Sequence, residues 1–264
     1  FAQCVSEWQE AGVVSQWGQG FADSKGTLPT GGHFRYRGMD GMTSVPRHLA
    51  EGLDIRLQTR IKVVSKEENR WSVHSQSGET FRSEVLLLTS PVPQSLELLK
   101  AGHVALPSDI RQDLEMIDYD PCLALLAVFA GASQIPAPGG LRFLEGPIAW
   151  IADNYQKGIS PDVHTVTIHA SPDYSRRHWR TNAIVVAQKI LEAAAPWLHL
   201  EVLDWQIHRW LYSQPVATYP EQALFFPGPP SLVFAGDAFG GPRVEGAALS
   251  GYAAAQIMLA ARDK

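Results

Sequence analysis

The sequence predicts a mixed α/β fold in which a Rossmann-like sheet is interrupted by a second domain of strands and helices. An apolar strand at 231–235 runs straight into Gly236 and Asp237, and a helix of small residues follows it. Residues 54–89 show a two-residue period that ends in a continuous apolar run, which is typical of a buried parallel strand. Residues 94–227 carry strand and helix patterns of their own, and 264 residues are enough for two domains.

The N-terminal part predicts short elements. Apolar helical spacing favours a helix over 1–11, but no capping residue precedes Phe1, so we expect the sequence to begin inside an element of a longer or cleaved protein. Strands are predicted at 13–17 and 33–36. A helix is predicted at 42–51, with Thr43 or Ser44 as N-cap and with Leu49 on the buried side.

The rest of the chain predicts a β-meander, then a separate sheet with a helix, and then a return to the first domain. The meander has strands at 55–57, 60–64, 71–73 and 84–88. The middle has strands at 123–129, 148–152, 163–170 and 202–210 and a helix at 183–194. A Pro/Gly connector at 227–230 leads back. The predicted domain segments are 1–40 and 94–227 for the inserted domain, and 41–93 and 228–264 for the Rossmann-like domain.

Composition excludes several classes of function. The net charge of −5 and the pI near 6.0 come without a basic cluster among aromatics, which argues against nucleic acid as a partner. No apolar run is long enough to span a bilayer and no leader is visible, so we expect a cytoplasmic protein. Cys4 and Cys122 form no CxxC pair and the histidines lack ligand spacing, which argues against a metal, an iron–sulfur cluster or a disulfide framework.

The segment from Ser231 to Ala261 carries the chemistry. In an open α/β sheet a ligand lies beyond the carboxyl ends of the strands, so Asp237 is a candidate for binding the ribityl chain of a flavin. The following helix opens with small residues, so its free amides and positive dipole end can approach a negatively charged group. A small-residue helix that packs tightly on a strand would explain the alanines, but not the Gly-Asp pair and the double glycine before it.

These residues resemble a known family. Gly236-Asp237, then residues 244–247 and 250–251, resemble the C-terminal FAD signature of amine-oxidase-like flavoproteins, and more narrowly of renalase-like proteins. Segments 41–53, 89–94, 150–154 and 208–212 resemble further parts of that family in the same order. The resemblance covers nearly the whole chain and depends on the order of short motifs.

The resemblance implies a bipartite fold like that of p-hydroxybenzoate hydroxylase, with non-covalent FAD. It implies oxidation of isomeric dihydronicotinamide dinucleotides to NAD(P)+, with O2 reduced to hydrogen peroxide. The implied flavin-binding residues are Gly236, Asp237, Arg243, Val244, Glu245 and Gly246, with Ile61 and Val63 at the adenine end, Thr89, Ser90 and Pro91 beside the pyrophosphate, and Asn154 and Tyr212 in the substrate cavity. Each of the last two has a plainer interpretation, Asn154 as a turn cap and Tyr212 as a half-buried aromatic.

One feature of the family is missing from this sequence. No G-x-G-x-x-G follows an apolar strand and opens a helix, so we expect the chain by itself to hold FAD weakly or not at all. An amine oxidase or a protoporphyrinogen-oxidase-like enzyme shares the C-terminal signature and remains an alternative. An aromatic hydroxylase ranks lower, and a non-catalytic fragment is the alternative from a different class. The partners expected are a small-molecule substrate and O2, and the sequence leaves the oligomeric state open.

Overall fold

The computed structural model describes residues 1–28 and 31–262. Residues 29–30 of the predicted segment 1–40 and residues 263–264 of the predicted segment 228–264 therefore lie outside the described residues. The first elements in chain order are α1 Ala2–Glu10, β1 Val14–Gly18, β2 Ala22–Asp23, β3 Arg35–Gly38, α2 Ser44–Leu49, β4 Ile61–Glu67, β5 Arg70–Ser75, β6 Thr80–Ser83 and β7 Val85–Leu88. The middle elements are α3 Val92–Ala101, α4 Ser108–Glu115, β8 Tyr119–Phe129, β9 Gly140–Arg142, β10 Ile148–Asp153, β11 Thr165–Ala170, α5 Pro172–His178 and α6 Ala183–Ala194. The last are β12 Val202–Pro215, β13 Leu224–Phe226, β14 Ser231–Phe234, α7 Asp237–Gly240 and α8 Val244–Arg262.

The chain forms two compact units. Unit 1 comprises residues 1–53 and 121–211, and unit 2 comprises residues 54–120 together with the chain from 212 onward. These units divide the chain at different residues from the predicted domain segments, because α2 belongs to unit 1 whereas α3 and α4 belong to unit 2. The assignment of the segments to a cofactor domain and a substrate domain stays a prediction.

Unit 1 is organised around a six-stranded sheet with the order β12-β8-β11-β10-β9-β2. Ile168 on β11 is the register partner of Leu125 on β8 and of Ile151 on β10, and all three are fully buried. Helix α6 packs on this core through Val186 and Ile190. Because neighbouring residues of a strand point to opposite faces, the residues that alternate with this buried row lie on the other face of the sheet.

Unit 2 contains two three-stranded sheets, β13-β14-β7 and β4-β5-β6. Strands β7 and β14 are parallel, and the register runs from Val85 opposite Ser231 to Leu88 opposite Phe234. The buried Trp71 of β5 connects the two sheets, since its indole Nε1 donates a hydrogen bond of 2.7 Å to the Ser231 carbonyl. The parallel pairing of β7 confirms the expectation drawn from its continuous apolar composition.

The structure corrects three other local predictions. Residues 55–57 form no strand, and both Ile55 and Leu57 are exposed. The third strand of the meander is instead Thr80–Ser83. Leu49 is exposed, and Val45 is the residue of α2 that is buried. The predicted loop at 238–243 begins instead as the short helix α7. Helix α6 has the predicted bounds because Asn182 caps it, accepting a hydrogen bond of 2.8 Å from the Ile184 amide.

Candidate functional site

The carboxyl ends of β7 and β14 meet at one edge of their sheet. The Ala235 amide donates a hydrogen bond of 3.1 Å to the Leu88 carbonyl, so the pairing continues to the last residues of both strands. Gly236 then has φ of +134°, which L side chains rarely adopt, and a Cβ there would lie 3.5 Å from the Thr89 carbonyl oxygen. Ligands of open α/β sheets bind beyond such strand ends.

Ser250 of α8 fixes the peptide at this edge. Its fully buried hydroxyl accepts a hydrogen bond of 2.8 Å from the Gly236 amide and donates one of 2.6 Å to the Gln222 carbonyl. The first turns of α8 are therefore attached to the end of β14. In the sequence, Ser250 is one small residue of the motif. The feature that could have indicated its hydrogen-bonding role is that it carries the only side-chain hydroxyl in the stretch 246–251.

Asp237 lies directly beyond Gly236 as the first residue of α7, and its side chain is half-buried. Burial raises the pKa of its carboxyl, while hydrogen bonds from the amides of Ala238 and of Asp237 itself act in the opposite direction. Among the ion pairs of the described residues none involves Asp237. A partly desolvated carboxylate without a cation has lone pairs available for hydroxyl donors of a ligand.

The turn from α7 to α8 has room only for glycine. A Cβ on Gly246 would lie well inside 3.0 Å of the carbonyl groups of Gly240 and Gly241. The backbone therefore packs directly against the first turn of α8, where Arg243, Val244 and Glu245 are exposed. The Arg243 amide donates a hydrogen bond of 2.8 Å to the Gly241 carbonyl. The first amides of a helix have no acceptor within the helix, so the amides of the exposed Val244 and Glu245 are the ones open to a ligand here.

Tyr119 and Tyr212 lie in the same unit. Their rings pack edge to face with centroids 5.4 Å apart, and the Tyr119 hydroxyl accepts a hydrogen bond of 3.1 Å from the Val92 amide. Burial raises the pKa of Tyr119, the Val92 amide opposes that shift, and the negative charge of Asp237 raises it further. Tyr119 is thus within electrostatic reach of Asp237, a relation that its place at the start of an apolar strand does not reveal.

The other predicted residues are distributed between the two units. Thr89 lies beside Gly236, but the Ser90 hydroxyl bonds to that of Ser95 at 2.7 Å and Pro91 is the N-cap residue of α3. Ile61 and Val63 lie on β4, in the other sheet of unit 2. Asn154 lies in unit 1.

Asn154 directly follows the last residue of β10 in unit 1. Its Nδ2 donates a hydrogen bond of 3.1 Å to the Thr167 hydroxyl, and its backbone amide donates one of 2.8 Å to the Thr165 carbonyl. It borders a cavity of about 460 Å³ formed with residues of β8 and β12. Asn154 is therefore a bonded residue at a cavity wall, and more than a turn cap.

Membrane-spanning helices and metal-binding clusters are both absent from the described residues. No helix in the described part of the chain is long and apolar enough to cross a membrane. Within residues 1–28 and 31–262, no group of three or more His, Cys, Asp or Glu side chains could hold a metal ion.

Comparison with known proteins identifies relatives of the chain. The profile of a family described as flavin containing amine oxidoreductase matches residues 19–259. Renalase of Mus musculus is 26% identical over 216 residues, which are 75% of this chain and 61% of renalase. The expected resemblance to amine-oxidase-like flavoproteins and renalase is thereby confirmed.

Solved structures share the fold. A protein of Exiguobacterium sp. 255-15, provisionally assigned as a protoporphyrinogen oxidase, has a TM-score of 0.65 at 20% identity, over 88% of this chain and 53% of that one. Wild-type putrescine oxidase bound to putrescine has a TM-score of 0.60 at 17% identity, over 86% of this chain and 54% of that one. These matches confirm the predicted mixed α/β fold. The chain spans about half the length of both proteins and about three-fifths of renalase.

Proposed function

The chain belongs to the flavin containing amine oxidoreductase family, and from this premise we propose that it forms part of a flavin-dependent oxidoreductase that binds FAD non-covalently. The observation that supports the proposal is the edge where β7 and β14 end. There Asp237 follows a glycine whose amide is held by Ser250, and α8 begins close by. Side-chain-free backbone and an unpaired carboxylate at a parallel sheet edge suit a cofactor with sugar hydroxyls and a flat ring.

The residues around this edge fit a flavin. The half-buried carboxylate of Asp237 would accept hydrogen bonds from the ribityl hydroxyls. The exposed first turn, with Arg243, Val244 and Glu245, would present amides and a positive dipole end to the part of the ring that carries negative charge. At Gly246, which is buried, any side chain would collide with the preceding turn, so the glycine lets α7 and the start of α8 pack together at this edge.

Further contacts follow from the resemblance. The backbone of Thr89, Ser90 and Pro91 would lie beside the pyrophosphate. Ile61 and Val63 would lie at the adenine end. When bound, the flavin would accept a hydride from the substrate and pass two electrons to O2, which leaves as hydrogen peroxide. The chain's own residues then need only hold the substrate against the ring and exclude water.

We propose isomeric dihydronicotinamide dinucleotides as substrates, with NAD(P)+ as the product. The similarity to mouse renalase supports this choice. Asn154 offers an amide oxygen beside the cavity in unit 1, since its Nδ2 is already bonded to Thr167, and Tyr212 offers a hydroxyl in unit 2. An amide oxygen can accept from a carboxamide such as that of nicotinamide. Neither residue needs to act as an acid or a base, because the reaction transfers a hydride.

Flavin binding is the first test. FAD is titrated into the chain at equilibrium, and the change in its visible spectrum is recorded for the wild type, Asp237→Asn and the control Asp113→Asn, which removes an exposed carboxylate of α4 in the same unit. Replacing a charged acceptor by a neutral one should weaken FAD binding about tenfold, while Asp113→Asn leaves it unchanged. Equal FAD affinities of the wild type and Asp237→Asn would contradict the proposed role of Asp237.

Substrate class is the second test. Hydrogen peroxide release is measured with 6-dihydro-NAD and, separately, with putrescine. We expect peroxide from the dihydronicotinamide. Turnover of the diamine without turnover of 6-dihydro-NAD would replace the proposed substrate with an amine.

A further inference from the structure

Three aromatic rings in unit 1 form a compact group, here called the aromatic cluster, which consists of Trp17, Phe21 and Trp150. Ring centroids are 4.4 Å apart for Trp17 and Phe21, 4.9 Å for Phe21 and Trp150, and 5.9 Å for Trp17 and Trp150. The Trp17 Nε1 donates a hydrogen bond of 2.7 Å to the Pro138 carbonyl. The three side chains are only half-buried, so the aromatic cluster lies at the surface of unit 1 and not in its core.

The surrounding backbone is shaped to admit these rings. A Cβ on Gly140 would lie 2.7 Å from the Trp150 ring and 2.9 Å from one atom of the Phe21 ring, so any larger residue would push the two apart. Gly140 is itself buried and pairs with Ala152 across β9 and β10. The arrangement of the aromatic cluster is therefore set by packing.

Two cations adjoin the aromatic cluster. The Lys157 Nζ lies 4.1 Å from the centroid of the Trp17 ring. The Arg37 guanidinium lies against the next residue of the turn, since a Cβ on Gly158 would be 2.9 Å from its Nη2. Two positive groups thus adjoin one short stretch of backbone.

No carboxylate neutralises this pair. The ion pairs found among residues 1–28 and 31–262 include neither Arg37 nor Lys157. Asp153 begins the same turn, but it is buried, and its carboxylate accepts hydrogen bonds from the Ser133 hydroxyl at 2.5 Å and from the amide and side chain of Gln156 at 2.9 and 3.2 Å. Asp153 therefore shapes the turn.

Placing Lys157 in this position destabilises its charged form. Burial lowers the pKa of its ammonium, and the charge of Arg37 lowers it further. The pKa of His169, the register partner of Trp150, is lowered as well. Desolvation of its ring is the larger cause, and the charge of Lys157 is the smaller one. The cation–π contact with Trp17 stabilises the ammonium, but it brings no negative charge to oppose the repulsion from Arg37.

We propose that Arg37 and Lys157, beside the aromatic cluster, form a binding site for the phosphate group of a small-molecule ligand. A phosphate carries enough negative charge to relieve the repulsion of both cations. The Nη1 of Arg37 already donates a hydrogen bond of 3.2 Å to the Met39 carbonyl, so its Nε and Nη2 are the donors for the phosphate oxygens, and the Lys157 ammonium adds a second positive charge. A diamine would meet like charge at this position.

The dinucleotide identity of that ligand rests on the proposed function, whereas the phosphate site itself does not. Dinucleotide substrates carry a pyrophosphate, and amines carry none. The site therefore favours the dihydronicotinamide substrate over an amine.

Binding of inorganic pyrophosphate to the full chain, without added flavin or turnover, tests the site by isothermal titration calorimetry. Lys157→Met keeps a long apolar side chain over Trp17 without the charge, Arg37→Gln removes the guanidinium, and Lys157→Arg restores a cation. Lys189→Met is the matched control, because it removes a lysine of the same unit that is already paired with Glu192 at 2.8 Å. Melting curves check that each variant is folded.

We expect Lys157→Met and Arg37→Gln each to weaken pyrophosphate binding about tenfold or more, the loss typical of one charge-assisted hydrogen bond. Lys157→Arg should retain most of the affinity, and Lys189→Met all of it. No detectable binding by the wild type, or equal losses in Lys157→Met and Lys189→Met, would overturn the proposal. Pyrophosphate binding together with turnover of putrescine but not of 6-dihydro-NAD would leave the site standing and refute the proposed substrate.

Discussion

The turn before α8 allows a sharp test because two glycines of one helix have opposite surroundings. A Cβ on Gly246 would lie 2.7 Å from the carbonyl carbon of Gly240 and closer still to two carbonyl oxygens, whereas a Cβ on Gly251 would meet nothing within 4 Å. Both residues belong to α8, so both gain the same kind of helix propensity when changed to alanine. The pair therefore separates local packing from propensity.

The magnitudes follow from these surroundings. Gly251→Ala should stabilise the chain by about 0.5–1 kcal/mol, because alanine loses less backbone entropy on entering a helix. Gly246→Ala has the same gain available, but it forces backbone apart at a cost of about 1–3 kcal/mol, and the backbone cannot rotate away as a side chain can. Because the gain is shared, the two variants should differ by the backbone cost alone, about 1–3 kcal/mol, or roughly 2–12 °C in melting temperature.

Circular dichroism of thermal unfolding measures the difference, with the wild type expected to melt between the two variants. Displacement of the α7–α8 turn should also weaken FAD binding in Gly246→Ala and leave it unchanged in Gly251→Ala. If Gly246→Ala melts at or above Gly251→Ala, the close approach of the two turns is wrong.

Two further substitutions at the same edge have clear expectations. Ser250→Ala leaves the Gly236 amide and the Gln222 carbonyl without their buried partner and should cost about 2–4 kcal/mol of unfolding free energy, measured by urea titration, whereas a cost under about 0.5 kcal/mol would contradict it. Asp237→Asn should raise the melting temperature at pH 7, because the folded pKa of Asp237 lies above its unfolded value, so stability is lost as pH rises through that window. The gain should disappear as pH falls below the unfolded pKa, and a variant less stable than the wild type at pH 7 would refute the burial argument.

Sequence patterns predict the elements that carry their own signals. Strand β14 and helix α8 follow from an apolar run, a Gly-Asp pair and a row of small residues, all contiguous. The parallel state of β7 follows from four consecutive apolar residues, since such a strand must be covered on both faces. These are local properties, so one stretch of sequence contains the information.

Where a residue type has two opposite uses, the pattern gives only part of the answer. Pro91 and Pro93 indicate that the strand ends before them, and β7 does end at Leu88, but they do not reveal that helix α3 begins at Val92 with Pro91 as its N-cap residue. Proline is tolerated in the first turn of a helix because the amide it lacks would have no acceptor anyway. The same residue type therefore ends one element and begins the next.

The partners of the site are beyond sequence analysis for a different reason. Ser250 reaches Gly236 across 14 positions and Gln222 across 28, and both acceptor and donor are backbone atoms that no residue identity reveals. Asp237 could be predicted because its position directly after an apolar strand defines its place. The hydroxyl that orients the preceding peptide is defined only by packing.

Charge shows the same limit most clearly. The net charge of −5 and the scattered basic residues exclude a nucleic-acid surface, because that function needs many cations over a wide area. A site for one phosphate needs only two, and the proposed pair is Arg37 and Lys157, which are far apart in sequence. Neither forms an ion pair among the described residues, because the nearby Asp153 carboxylate is buried and bonded to Ser133 and Gln156 instead. For this chain the local charge therefore favours a phosphate-bearing substrate, even though the family to which it belongs takes its description from amines.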